Sequence, residues 1–310
     1  MKAGAPSPNR PSELRATKCA VCGTYGQATE KWPEKLGSLA FTADVFSARR
    51  IPDQIHYRMV NCDGCGLLRS DPVLADDALT LLYKDASFDY GDELTALKST
   101  YGGALSRVEA IVDDRVGLLD IGCGNGFVLE EAICRGWSDV HGVEPTADAV
   151  AAANPVVKAV IIEDIMRPGL FAPGELSAVT LFQVLDHIPD PLELLRECKS
   201  ALKPGGVILA WNHNASALSA RILGQRSPIV DVEHTYLYSP TTMRLLFETA
   251  GFEVLEISLV RNLYSLGYLA QLVPLPRQFK SHLVPALRKT WLGRARLRVP
   301  LGNLCLVARA

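Results

Sequence analysis

No run of apolar residues in this chain reaches the roughly 18 to 20 that a membrane-spanning helix needs. The most apolar late stretch, "NLYSLGYLAQLVPLP", is broken by two prolines and reads as a packed or interfacial helix. An excess of charge is missing too. Lys and Arg total 32 against 34 Asp and Glu, a net charge of -2, so no global field draws the chain towards nucleic acid. No lysine follows a glycine-rich turn in the manner of a P-loop, which excludes that way of holding a phosphate. The opening "MKAGAPSPNRPSE" lacks the apolar core of a signal peptide, so residues 1–13 are expected to be a disordered tail and the protein cytoplasmic.

An apolar share of 48% and a charged share of 21% suit a folded globular protein, and 310 residues give ample core. The pattern changes character twice. Residues 14–75 are short strands and turns around two cysteine pairs. Residues 76–111 carry a helical spacing of Leu, Tyr and Ala broken by Gly, expected to form a connector or lid. Tyr83, Phe88 and Tyr90 are its candidate lid aromatics, or plain packing residues. From 112 to 310, apolar runs such as "GLLDIG", "AVTLFQ" and "GVILAWN" alternate with amphipathic stretches such as "FVLEEAICRG" and "PLELLRECKSAL". That alternation predicts an α/β fold, a doubly wound parallel sheet covered on both faces. "SPTTMRLLFETAGF" adds a helix with a Ser cap, Pro in its first turn and a closing Gly, and "FEVLEISLV" and "GNLCLVARA" add two strands.

"LLDIGCGNGF" at 118–127 runs from an expected strand into a turn with Gly122, Gly124 and Gly126. In a doubly wound sheet the ligand lies beyond the carboxyl ends of the strands. The dinucleotide fingerprint needs a small residue where Phe127 stands, so a pyrophosphate is disfavoured. Alone, the turn reads as a ligand cradle or as a tight strand-to-helix turn. Downstream, Glu144 in "HGVEP" ends the next expected strand, suited to accept hydrogen bonds from ribose hydroxyls, and Asp164 in "IIEDI" ends the third. "TLFQVLDHIPDP" ends the fourth, and "LKPGGVILAW" leads into the fifth.

Taken in order over residues 112–260, these segments resemble the class I S-adenosylmethionine-dependent methyltransferases. The resemblance implies a seven-stranded Rossmann-like sheet with S-adenosyl-L-methionine as cofactor. It implies that Asp120, Gly122, Cys123, Gly124, Asn125 and Gly126 hold the methionine end, Glu144 the ribose, Asp164 the adenine, and Gln183 the approach to the methyl sulfonium. Asp186 stands where relatives often carry Glu before His. The resemblance also implies that residues 302–309 pair back with strand six, making 261–300 an insertion.

Eight cysteines in a chain without an export signal are read for metal or catalysis before disulfides. Cys19 and Cys22 in "CAVC" and Cys62 and Cys65 in "NCDGCG" form two C-x2-C knuckles, each followed by Gly. Four thiolates so spaced make the closed tetrahedral shell of structural zinc, with a redox or iron-sulfur site as the alternative. Cys123, Cys134, Cys198 and Cys305 read as ordinary buried thiols. "CDGCGLLRSDPV" followed by "LLYKDASFDY" also resembles the N-terminal zinc ribbon of bacterial methyltransferases that act on sugars and related metabolites. This resemblance implies a small-molecule acceptor, a sugar or a nucleotide- or lipid-linked sugar.

A hydroxyl acceptor must lose a proton, which calls for a placed base. His187, His213 and His234 follow expected strands four and five and enter the loop "DVEHTYLYSP", all on the ligand side. His234 is the first candidate base and His187 the second, with Tyr236 and Tyr238 orienting the hydroxyl; a structural hydrogen-bonding role is the alternative for each. From Ile257 onward there is no Asp or Glu, and the basic 261–300 segment is either a solvated face or a contact for anionic lipid, a nucleotide-sugar diphosphate or an acidic partner. The expected activity is methyl transfer to a sugar-type hydroxyl, with a ring carbon second. The rival readings are an RNA methyltransferase, for which residues 14–75 carry too mixed a charge, and a non-catalytic scaffold.

Overall fold

A computed structural model describes residues 14–36, 54–75, 82, 94–273 and 277–310. Tyr83, Phe88 and Tyr90 lie outside those residues, as does the 1–13 tail. The first strands are β1 (Leu14–Arg15), β2 (Ala28–Trp32), β3 (Met59–Cys62), β4 (Leu68–Ser70) and β5 (Val73–Leu74). Next come β6 (Val116–Ile121), β7 (Ser138–Val143), β8 (Ile161–Ile162), β9 (Leu176–Phe182) and β10 (Leu202–His213). The last three are β11 (Tyr236–Leu237), β12 (Glu253–Ser265) and β13 (Arg296–Arg309).

Seven strands form one sheet in the order β12-β13-β10-β9-β6-β7-β8. The five from β6 to β10 run parallel, and β13 is antiparallel to both of its neighbours. The chain winds outward from β6 through β7 to β8, then crosses back to β9 on the other side of β6. The carboxyl ends of β6 and β9 therefore flank the switch point where such sheets open a crevice.

β9, "LSAVTLF", is buried along its whole length, as a central parallel strand covered on both faces must be. Its alternation divides the core. Val179 and Leu181 pack beneath α3 (Pro191–Ala201) and α4 (Pro240–Thr249), using Leu195, Cys198, Leu246 and Phe247. Ala178 and Phe182 face the opposite layer, where α1 (Gly103–Glu109) and α2 (Phe127–Cys134) supply Leu105, Val108, Phe127 and Leu129. α4 begins as its sequence predicts: the Ser239 hydroxyl accepts from the Thr242 amide at 3.1 Å while the Thr242 hydroxyl accepts from the Ser239 amide at 2.9 Å.

The cysteine-bearing segment builds a second, four-stranded sheet in the order β11-β4-β3-β2. Its edge strand β11 comes from residues far along the chain, so this segment is stitched into the large domain, and β1 pairs with β5 beside it. The late basic segment differs from its expected bounds. β12 continues to Ser265 and β13 already starts at Arg296, paired through Leu263↔Arg298 and Ser265↔Arg296. The helical part is thus confined to 266–294, with α5 (Leu266–Leu272) and α6 (Arg277–Arg288). Among the four cysteines outside the pairs, Cys123, Cys198 and Cys305 are buried, but Cys134 is exposed at the carboxyl end of α2.

Ser239→Ala removes one half of the α4 cap and is expected to lower stability by about 1 kcal/mol. A urea unfolding midpoint shifted with unchanged slope would register that loss.

Candidate active site

Three glycines close the turn after β6 in left-handed backbone, with φ of 67° at Gly122, 57° at Gly124 and 74° at Gly126. Space enforces glycine as well, since a Cβ on Gly122 would stand 2.7 Å from Val184 Cγ2 and one on Gly126 would stand 2.8 Å from Val157 Cγ2. Cys123 tucks its side chain under β7, where a Cβ on Gly142 would meet the sulfur at 2.7 Å. Glu144, directly after β7, clasps this turn. One carboxylate oxygen accepts from the Gly124 amide at 2.9 Å and the other from the Thr146 amide at 2.9 Å.

Asp120 near the end of β6 is buried and accepts from Thr180 Oγ1 at 2.6 Å. Burial pushes its carboxyl up to about 7; the Thr180 hydroxyl pulls it down, and the Glu144 charge adds to the rise. Burial also raises Glu144, against the amides of Thr146 and Gly124. Two buried carboxyl groups at the strand ends suit a ligand that brings positive charge and hydroxyl donors. The side-chain oxygens of Gln183 and Asn125 are buried there too, and neither has a hydrogen-bond partner among the described residues. Gln183 itself is held in left-handed backbone (φ 60°) and donates from Nε2 to Asn303 Oδ1 at 3.3 Å. Asp164 follows β8 on a half-buried turn, where it accepts from Arg167 Nε at 3.0 Å.

Past Gln183, three imidazoles converge on one carboxylate. Asp186 is buried, and its Oδ1 accepts from Asn212 Nδ2 at 3.0 Å, while Oδ2 has no hydrogen-bond partner among the described residues. His234 Nε2 lies 3.8 Å and His213 Nε2 4.0 Å from Oδ2, and His187 Nε2 lies 3.8 Å from Oδ1. The His234 ring sits edge-on between the other two, with centroids 4.9 Å from His187 and 5.0 Å from His213. Burial pushes both His187 and His213 down to about 4, against the upward pull of Asp186. At neutral pH those two rings are uncharged, with a lone pair available.

The cysteine pairs also come together. Both knuckles repeat one pattern, an amide of Gly23 or Gly66 donating at 2.8 Å to the carbonyl of the first cysteine of its pair. Sγ atoms of Cys19 and Cys65 are 3.5 Å apart, those of Cys22 and Cys62 3.8 Å, and all four lie within 4.8 Å of one another. Thiolates sharing one tetrahedral ion at ~2.3 Å stand about 3.8 Å apart, so the set fits a closed four-sulfur centre. This centre is wired to the histidines. Ser70 of β4 donates from Oγ to the His234 carbonyl at 2.9 Å and from its amide to the Thr235 carbonyl at 2.8 Å.

Residues 97–257 match the family described as a methyltransferase domain. The chain belongs to that family. Among curated relatives, the ubiquinone biosynthesis O-methyltransferase of Chromobacterium violaceum is 30% identical over 152 residues, covering 46% of this chain and 62% of the relative. Its counterpart in Ralstonia nicotianae is 28% identical over 153 residues, covering 45% of this chain and 64% of the relative. The chain thus spans somewhat over six-tenths of the length of these relatives. A solved structure of a SAM dependent methyltransferase from Archaeoglobus fulgidus is 20% identical, covers 67% of this chain and 92% of its own, and superposes with a TM-score of 0.47.

S-adenosylmethionine, the methyl donor implied by this family, suits these strand ends: the Gln183 and Asn125 side-chain oxygens are buried acceptors without a partner among the described residues, beside the buried Asp120 and Glu144 carboxyl groups. His187 and His234 stand together as expected from sequence, with His213 the third ring. Tyr236 and Tyr238 do not join them. Both are buried, and their hydroxyls donate to main-chain carbonyls, Tyr236 to Lys18 at 3.0 Å and Tyr238 to Leu185 at 3.1 Å. These tyrosines serve packing; the alternation of β11 and its flank turns them into the core. The central part of Asp186, and the contacts of Asn303, Asn212 and Ser70, escaped sequence reasoning because their partners are 11 to 164 residues away and carry no local signal.

The Asp120 carboxyl titrates near 7 when folded but near 4 when unfolded, so its contribution to stability is full below about pH 4 and lost as the pH rises through 7. Asp120→Asn is expected to raise the melting temperature of the cofactor-free methyltransferase by several degrees at pH 8, less at pH 5. The same variant is expected to bind S-adenosylhomocysteine at least about tenfold more weakly, read by calorimetric titration. If the four-sulfur centre holds a metal ion, Cys62→Ser is expected to lose it and to lower the melting temperature by about 10 °C, checked by metal analysis and a thermal scan.

Proposed function

We propose that this chain is an S-adenosylmethionine-dependent O-methyltransferase acting on a hydroxyl of a small molecule. One observation carries the reading: imidazoles of His187, His213 and His234 gather around Asp186 immediately beyond Gln183, on the strand ends that flank the cofactor crevice. The bound cofactor supplies a methyl group on a sulfonium, already activated for displacement. The chain's own residues align the acceptor and receive its proton. As the acceptor oxygen bonds to the methyl carbon, the carbon–sulfur bond breaks and the hydroxyl proton passes to an imidazole nitrogen of His234 or His187. Positioning supplies most of the acceleration and the base ~10²–10⁴-fold.

The four-sulfur centre is assigned zinc on its donor set and spacing, as a brace without catalytic chemistry. For the acceptor, a sugar or a nucleotide- or lipid-linked sugar rests on the resemblance of the cysteine-bearing segment, with a ring carbon as the second type of methyl acceptor. The relatives named for ubiquinone biosynthesis support a second hydroxyl acceptor, a precursor on such a route. The acid-free 266–294 helices expose Trp291 and Leu292 beside basic residues, which supports peripheral contact with an anionic membrane that presents the acceptor. No helix of the described residues is long and apolar enough to cross a membrane, and a cytoplasmic site of action is part of this proposal.

Incubation with methyl-labelled S-adenosylmethionine and a panel of sugars, nucleotide-sugars and phenolic quinone precursors tests the reading. Label in an ether-linked methyl of one acceptor class is expected. His187→Gln and His234→Gln are expected to lower kcat about 10²-fold or more while S-adenosylhomocysteine binds within about threefold of wild type. Cofactor binding with no transfer to any class would favour the non-catalytic scaffold.

A further inference from the structure

The gap between Asp186 and its histidines has the wrong size for protons. A hydrogen bond would bring a ring nitrogen within ~3.2 Å of the carboxylate, yet the three nitrogens stand off at 3.8, 4.0 and 3.8 Å. The ring protons are committed elsewhere. His234 Nδ1 donates to the Ile229 carbonyl at 2.8 Å, and His213 Nδ1 donates to Asn303 Oδ1 at 3.0 Å, an oxygen that also accepts from Gln183 Nε2. In the neutral form of each ring the second nitrogen, Nε2, presents a lone pair. Two lone pairs aimed at a buried carboxylate oxygen that accepts no hydrogen bond is a repulsive arrangement unless a cation lies among them.

We propose that Asp186 Oδ2, His213 Nε2 and His234 Nε2 hold a divalent transition-metal ion whose remaining coordination position takes the acceptor oxygen. The three donor atoms lie within 4.8 Å of one another. Ligands bonded to one ion at 2.0–2.2 Å stand about 3 to 4 Å apart, so small side-chain movements close the shell. Two imidazoles and one carboxylate suit zinc or ferrous iron, whereas magnesium and calcium prefer oxygen alone. The outer contacts are those of a metal site, each ligating ring donating its other N–H to a carbonyl or amide oxygen and Asp186 Oδ1 held by Asn212 Nδ2. Access is open on one side, for the His187 and His213 side chains keep 24% and 26% exposure while Asp186 keeps 1%.

The metal site stands on this geometry, and its role rests on the O-methyl transfer proposed above. A bound ion would lower the pKa of the acceptor hydroxyl, so that its proton leaves to His187, while His234 is spent as a ligand. The new oxygen–carbon bond forms as the carbon–sulfur bond breaks, with no redox change at the ion.

Cobalt distinguishes the two centres in the full-length chain. Metal-stripped protein titrated with Co²⁺ is expected to bind two ions, one with an intense thiolate-to-cobalt charge-transfer band and one with weak ligand-field bands only. Asp186→Asn and His213→Gln are expected to weaken the second ion by at least about tenfold while keeping the thiolate band, which also reports that the cysteine-bearing sheet is folded. Wild-type protein that takes up a single ion, with the thiolate band alone, would overturn the proposal without any variant. S-adenosylhomocysteine binding on the same samples separates the two ideas. One ion with normal binding sinks the metal site alone, whereas two ions without binding uphold it and sink the methyl-transfer reading.

Discussion

The main-chain oxygen of Asp186 accepts the amides of Thr235 at 2.8 Å and Tyr236 at 3.2 Å, and the arrangement of the whole histidine cluster follows from that pair of bonds. They bring the loop after β10 to the carboxyl end of β9. Once there, Tyr236 and Leu237 add β11 to the edge of β4, and Ser70 seizes the carbonyls of His234 and Thr235. One residue thus presents its carboxylate to three histidines while its backbone fixes the loop that carries one of them. The cysteine-bearing segment is held by this stitch, by the Tyr236 hydroxyl on the Lys18 carbonyl, and by the ion pair of Lys18 with Asp190 at the cap of α3.

The two halves of the site are built on different physics. Around the glycine turn, the backbone does the work: left-handed glycines, a carboxylate clasping amides, and main chain brought too close for any Cβ. Around Asp186, side chains from three separated segments meet. Burial there keeps two imidazoles uncharged, which preserves lone pairs for a proton or for a metal.

That difference explains what could be read from sequence. The glycine turn, Glu144 and the two C-x2-C knuckles have their determinants within a few residues or at fixed strand ends, so the doubly wound sheet and the four-cysteine cluster were legible. The placing of His187 and His213 on one rim was legible too, because each stands at or just after a strand end, with His234 expected to join them from the loop before α4. The role of Asp186 was not legible, since it depends on which loop lies across it. Tyr236 and Tyr238 were misjudged for the same reason: facing inward or outward depends on the register of β11 against β4, a pairing across more than 160 residues. Asn303 reaches the site only through the return of β13 alongside β10, where it sits opposite His213.

The distant origin of β11 also sets an order of events on the ribosome. β4 ends at Ser70 and β11 begins at Tyr236, so at ~5–20 residues per second the edge of β4 waits on the order of ten seconds or more for its neighbour. During that interval the two cysteine knuckles could already close on an ion, needing nothing beyond Leu67. Capturing metal early would hold β3 and β4 in register and keep an open strand edge from finding another nascent chain. The four-sulfur centre would then act first as a clamp during synthesis and only later as a brace for a histidine loop that did not yet exist when it formed.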